Sequence, residues 1–184
     1  SERFPGLTAK DGSYSKQEFI DLQRMGLEYG VRIIPEIDIP AHSLAFAHYK
    51  PEIASRKYGM DHLDLYKKET YQFVDSLLDE YLSGDNPVFI GDLHIGTDEY
   101  NKKEAEQYRY FTDRYLKFVE KYGKNVRMWG GLKWLPGKTP VKAEGVTVNA
   151  WSYDWVDPVV SLQDGYKLIN TCDTYLYIVP AAGY

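Results

Sequence analysis

Val31-Arg32-Ile33-Ile34-Pro35-Glu36-Ile37-Asp38-Ile39-Pro40-Ala41-His42 is the stretch that decides the fold. Its first four residues are almost all β-branched and apolar, the pattern of a strand buried on both faces, and the strand runs on to Glu36-Ile37-Asp38. Asp38 and His42 follow at its end. Just upstream, Ser15-Lys16-Gln17-Glu18 forms a capping box, Phe19, Leu22 and Met25 follow at helical spacing, and Gly30 stops the helix. A helix delivering the chain into a buried strand is the repeating unit of a parallel α/β domain.

The alternation continues downstream. Residues 40–68 read as a loop with Pro, Gly and scattered charge, and long loops in compact domains are often functional. Val74, Leu77, Leu78, Tyr81 and Leu82 make an apolar helical stripe ended by Gly84. Val88-Phe89-Ile90 and Leu93-His94-Ile95 predict the next strand. Tyr108, Phe111, Tyr115, Phe118, Val119 and Tyr122 stripe another helix, closed by Gly123. Strands are predicted over 126–129 and 146–150, a short helix over 158–163, and strand-like segments over 167–171 and 175–179. About five strands thus alternate with helices, with no internal repeat, low-complexity stretch or linker.

The chain has 184 residues, enough for one domain with a proper core, and 43 % hydrophobic with 27 % charged residues is an ordinary globular balance. The net charge of −5 and the lack of a Lys/Arg cluster argue against a nucleic-acid partner. No apolar run has the length of a membrane span. The single cysteine, Cys172, rules out an intrachain disulfide and leaves the compartment open. With 17 Tyr and 4 Trp the chain is rich in aromatics, which suit sugar faces as well as core packing.

Candidate chemistry gathers just after predicted strands. Asp38 and His42 follow one strand, Asp98 and Glu99 another, and Trp129 and Trp151 end a third and a fourth. In a parallel barrel all C-terminal strand ends face one mouth, so these residues converge there. Adjacent carboxylates at a strand end, where the chain turns, can flank one ligand, and mutual repulsion splits them into a proton donor and a persistent anion. By itself an Asp-Glu dipeptide is as well read as a solvated acidic pair, and His94 as a buried histidine satisfied by backbone. A metal site drawn from Asp38, His42, His94 and Asp98 lacks a His-x-His pair or cysteine cluster. Trp134 and Trp155 read as cover for the core edge. Tyr175 and Tyr177 would share one face of a strand.

His94-Ile95-Gly96-Thr97-Asp98-Glu99 resembles the His-x-Gly-x-Asp-Glu signature of family 20 β-hexosaminidases, and Pro35-Glu36-Ile37-Asp38-Ile39-Pro40-Ala41-His42-Ser43 resembles that family's Pro-Glu-Ile-Asp-x-Pro-Gly-His-Ser segment. Val148-Asn149-Ala150-Trp151 and Tyr175-Leu176-Tyr177 are similar to its later strand ends. The resemblance implies part of a (β/α)8 barrel, about helix 2 to strand 7, with residues 1–184 as one partial catalytic domain; a full barrel usually takes roughly 250 residues. Strands expected before Ser1 and after Tyr184 would complete it, and the open edges of an incomplete barrel invite self-association.

The resemblance also implies a retaining hydrolysis of terminal β-linked N-acetylhexosamine, GlcNAc or GalNAc, from a glycan. The substrate's 2-acetamido oxygen is the nucleophile and an oxazolinium ion the intermediate. Glu99 is implied as general acid and then base, and Asp98 as the anion that orients the acetamido group. Asp38, His42 and His94 support them. Trp129 and Trp151 wall the acetamido pocket, and Tyr175 or Tyr177 donates to its oxygen. No metal and no cofactor is implied, and export or a cell-surface location is the family's habit. Thr97 stands where Gly is usual, Ala41 replaces Gly, and on one alignment of the tyrosines Tyr177 takes the place of an aspartate that binds the sugar's outer hydroxyls. A family 18 chitinase would carry an Asp-x-x-Asp-x-Asp-x-Glu run, and none occurs here. A non-catalytic carbohydrate-binding barrel remnant would keep Trp129 and Trp151 without needing both Asp98 and Glu99.

Overall fold

The computed structural model describes residues 1–178. Helix α1 (Lys16–Glu28) leads into strand β1 (Glu36–Ile39). Then come α2 (Leu44–Tyr49), a small antiparallel hairpin of β2 (Ala54–Ser55) and β3 (Gly59–Leu63), and α3 (Lys68–Leu82). Strand β4 (Leu93–Gly96), helix α4 (Ala105–Glu120), strands β5 (Val126–Met128) and β6 (Val146–Ala150), helix α5 (Pro158–Gln163), strand β7 (Lys167–Asn170) and helix α6 (Asp173–Leu176) complete it. The main sheet has five parallel strands in the order β1-β4-β5-β6-β7. Sequential parallel neighbours joined over one face are how a (β/α)8 barrel is wound, and among the described residues the sheet stays open between β1 and β7.

The two faces of the sheet do different work. Leu93 and Ile95 of β4, Val126 and Met128 of β5, and Val146, Val148 and Ala150 of β6 are buried against the helices. There they meet Phe73, Val74, Leu77 and Leu78 of α3 and Tyr108, Phe111, Tyr115 and Val119 of α4. The stripes legible in the sequence are therefore the buried faces of α3 and α4. On the other face, lateral partners Glu36, His94, Arg127, Thr147 and Lys167 lie in one row across all five strands. Partners in register share a face, so this row is one layer of the barrel interior, and it is polar.

Four predicted segments come out differently. Residues 31–34 approach the sheet without pairing in it, and the strand begins at Glu36. Val88-Phe89-Ile90 is not a strand, because Gln23 takes up its backbone: Nε2 donates to Val88 O at 2.7 Å and Oε1 accepts from Ile90 N at 3.1 Å. Gln23 and Gly26, not Leu22 and Met25, are accordingly the buried residues of α1. The predicted loop 40–68 contains α2 and the β2–β3 hairpin. Instead of a strand, 173–176 form the single turn of α6; Val179 lies outside the described residues.

Candidate active site

Strand β1 sets the first two groups. Between the pairs Glu36–His94 and Ile39–Gly96, β1 advances three residues while β4 advances two. This extra residue re-aims the side chains at the strand end, as a bulge does. Asp38 is pressed over Gly96: a Cβ there would stand 1.7 Å from Asp38 Oδ1, so no other residue fits. Four residues on, His42 takes the left-handed conformation with φ 52°, which turns its imidazole back to the mouth.

Strand β4 supplies the carboxylates through a second strained turn. Thr97 has φ 64°, a region costly for a β-branched residue. That is the reason Gly is usual in this place. The strain is held by Thr97 N donating to Ile39 O at 3.0 Å, Thr97 Oγ1 to Gly96 O at 2.6 Å and Tyr108 Oη to Thr97 O at 2.5 Å. The turn breaks the alternation that would send Asp98 and Glu99 to opposite faces. His42 Nε2 stands 3.2 Å from Asp98 Oδ2 and 3.2 Å from Glu99 Oε2. Glu99 is open to solvent, whereas Asp98 Oδ1 and Asp38 Oδ1 are buried without a hydrogen-bond partner among the described residues.

Charge in this cluster is balanced by His42. Partial burial works against its imidazolium, but Asp98, Asp38 and Glu99 together outweigh that and raise its pKa. Burial, followed by the facing Asp98 charge, pushes Asp38 up to about 8. Asp38, His42 and Asp98 lie close enough to share a cation, with one ligand atom from each within 4.8 Å of the others. The raised pKa of His42 favours its protonated form, in which the imidazole has no lone pair for a metal.

A second group of contacts lies one layer deeper. Trp129, directly after β5, donates its indole N–H to Glu36 Oε1 at 2.7 Å, and its ring is tilted over His94 with centroids 4.8 Å apart. Burial lowers the His94 pKa to about 4, helped by the Arg127 charge. The ring is therefore neutral, its Nδ1 accepts from Gly96 N at 3.1 Å, and its 3.7 Å approach to Glu36 is not an ion pair. Burial raises the Glu36 carboxyl pKa, against the stabilising Trp129 bond. Glu36 is a residue that reading strand ends overlooks, because it begins β1. The usable signal was its parity with Asp38, two residues on.

Trp151, after β6, donates to Gly130 O at 3.1 Å and is half-buried. Asp38, His42, Asp98 and Glu99 are thus brought together, with His94 and Trp129 tied through Glu36 and Trp151 over the adjoining loop. Tyr175 and Tyr177 are not on one strand face. Tyr175 lies in α6, 73 % exposed, and Tyr177 caps it.

Residues 3–109 match the model of the glycosyl hydrolase family 20 catalytic domain. A β-hexosaminidase of Arthroderma benhamiae is 29 % identical over 189 residues, covering 85 % of this chain and 31 % of that protein. A lacto-N-biosidase of Bifidobacterium bifidum is 25 % identical over 184 residues, covering 85 % of this chain and 16 % of that protein. A mutant Streptomyces plicatus β-hexosaminidase, solved in complex with product GlcNAc, superposes with a TM-score of 0.71 at 25 % identity, covering 91 % of this chain and 37 % of that one. The chain therefore spans well under half the length of each of these relatives.

Proposed function

The chain belongs to glycosyl hydrolase family 20, and on that footing we propose that it carries the acid–base end of a retaining exo-N-acetylhexosaminidase site. The substrate is a glycan ending in β-linked GlcNAc or GalNAc. One observation carries the reading: Asp98 and Glu99 converge on one imidazole nitrogen at the C-terminal end of a parallel strand. Two adjacent carboxylates with one neighbouring cation can be held as one donor and one anion.

In the proposed reaction Glu99, the more exposed carboxyl, protonates the glycosidic oxygen. The acetamido carbonyl oxygen of the same sugar attacks the anomeric carbon as the bond to the leaving group breaks. A cyclic oxazolinium ion forms, and Glu99 then deprotonates the water that opens it with net retention. Attack from within the substrate removes the entropy cost of bringing in a separate nucleophile. Asp98 Oδ1, buried and without a donor among the described residues, is an acceptor suited to the acetamido N–H. The Asp98 charge faces the positive charge that develops on the ring, a stabilisation strongest where water is excluded. In this reading Trp129 and Trp151, which follow β5 and β6, wall the acetamido group.

The test is calorimetric titration of this chain with the thiazoline mimic of the oxazolinium ion. Binding that disappears in Asp98→Ala while thermal unfolding stays cooperative supports the reading. A cooperatively folded chain that ignores the thiazoline refutes it.

A further inference from the structure

The β2–β3 hairpin pairs with no strand of the main sheet, so the barrel can be wound without it. Its hydrogen bonds go instead to the two segments that carry the candidate chemistry. Asp61 O accepts from Ser43 N at 2.8 Å, and Leu63 N donates to Pro40 O at 2.8 Å. These bonds bracket Ala41-His42, the turn in which His42 holds its left-handed φ. The carbonyl of the same Leu63 accepts from Tyr100 Oη at 2.7 Å, and Tyr100 is the residue after Glu99. One fully buried residue of β3 thus joins the His42 turn through its N–H and the Glu99 segment through its C=O.

The Tyr100 ring is buried and held from both sides. It stacks on Tyr108 with centroids 6.2 Å apart and meets His62 at 5.2 Å. Tyr108 also donates to Thr97 O, so the residues on either side of Asp98 and Glu99 are both tied down. Burial pushes the Tyr100 phenol pKa up, which keeps it a donor. The hairpin is tied to the same loop a second time. Glu104, whose side chain is 8 % exposed, accepts from Lys57 Nζ at 2.8 Å, Tyr58 Oη at 2.5 Å and Tyr66 Oη at 2.6 Å. Glu99 itself has a long, half-exposed side chain with several rotamers open to it. Its 3.2 Å approach to His42 therefore depends on where the backbone beside it is held.

We propose that Tyr100 is a positioning residue for the general acid: its hydroxyl, bonded to Leu63 of the β2–β3 hairpin, holds Glu99 against His42. This rests on the reading of Glu99 as general acid. Proton transfer is sensitive to displacements of the order of 1 Å, and the Leu63 strut sets the separation of the donor and its imidazole neighbour through two peptide groups of one residue. Carboxylates face His42 from three elements: Glu36 and Asp38 from β1, Asp61 from β3, and Asp98 and Glu99 after β4. Among them Glu99 is the direct chain neighbour of Tyr100, so its share of the His42 environment reports whether the strut works.

The experiment follows the His42 imidazole by NMR across pH in wild type, Tyr100→Phe, Glu99→Gln and the double variant. Glu99→Gln removes the carboxylate and should lower the His42 midpoint by about one pH unit. Tyr100→Phe keeps the ring and loses only the hydroxyl, and should lower the midpoint by about half as much. The double variant should fall no further than Glu99→Gln alone, the mark of two groups acting through one contact. A loss of stability by itself leaves the midpoint of the folded chain in place. An unmoved midpoint in Tyr100→Phe, or a fall that adds in full to that of Glu99→Gln, overturns the proposal. So does a Glu99→Gln chain with the wild-type midpoint, since Glu99 is then not held at His42. Where Tyr100→Phe does not fold cooperatively, Glu104→Gln loosens the same hairpin from its other tie, and the same outcomes decide. Thiazoline titration of the wild-type chain separates the two readings. A folded chain that ignores the thiazoline removes the acid role that Tyr100 serves, whereas a bound thiazoline with an unmoved His42 midpoint in Tyr100→Phe removes the positioning alone.

Discussion

The indole N–H of Trp129 reaches across the sheet to Glu36 Oε1, 2.7 Å away and 93 residues earlier in the chain. β4 lies between their strands, and its His94 ring is packed against the same indole. Glu36 thereby fixes the angle at which Trp129 presents its face to the mouth. Glu36→Ala should free the indole and weaken thiazoline binding by about tenfold, the loss expected for a charge-assisted hydrogen bond of about 1.5 kcal/mol. Glu36→Gln, which keeps an acceptor, should lose less. Trp129 emission and thiazoline affinity should change together; an unmoved affinity in Glu36→Ala would show that the indole holds its place by packing alone.

Glu99→Gln should keep the thiazoline affinity and lower turnover of substrates with poor leaving groups by about 10²–10⁴-fold, the usual contribution of a positioned general acid. Aryl glycosides with activated leaving groups should suffer much less, since they need little protonation. A uniform loss across leaving groups would take the acid role from Glu99. A fully active variant would do the same.

The Asp38 carboxyl makes folding stability depend on pH. Its folded-state pKa is raised to about 8 from 3.8, so the folded chain holds this proton more tightly than the unfolded chain does. The associated stability is complete below about pH 4 and is lost as pH rises towards 8. His42, also raised, titrates in the same sense. Asp38→Asn should therefore unfold at a higher temperature than wild type at pH 8, with the gap shrinking at pH 5. Parallel melting curves across that range would contradict the raised Asp38 pKa.

Thr97 carries a left-handed backbone without being glycine. Thr97→Ala retains the strained conformation and loses the hydroxyl bond to Gly96 O. Thr97→Gly loses the same bond but relieves the strain, so it should be the more stable of the two by about 1 kcal/mol. Denaturant midpoints of the two variants decide it. Equal midpoints would mean that the turn relaxes to ordinary φ once the hydroxyl is gone.

Short-range patterns carried much of the molecule. The capping box at Ser15 and Glu18 is present as read, with both reciprocal bonds formed. The stripes of α3 and α4 face the core as spaced, with Tyr81, Phe118 and Tyr122 partly buried, and α5 spans the predicted Pro158–Gln163. Helix caps and apolar periods are settled within a few residues, so a linear sequence displays them. The same holds for the placing of Asp98, Trp129 and Trp151 after strands, whereas Asp38 falls inside β1.

What the tertiary structure decided has partners far apart in sequence. Val88-Phe89-Ile90 has the residues of a strand, yet Gln23, at least 65 positions away, satisfies its backbone instead. The aromatic run at Tyr175 could alternate as a strand, but after β7 the chain turns into α6. The meeting of both carboxylates on His42 depends on a register shift in β1 and a positive φ at Thr97, neither of which a residue type announces. The sequence by itself determined a parallel α/β architecture and which strand ends carry the candidate residues, because those depend on local spacing. Only the tertiary structure decided that Glu36 steadies Trp129, because side-chain contacts between strands arise only once the sheet has assembled.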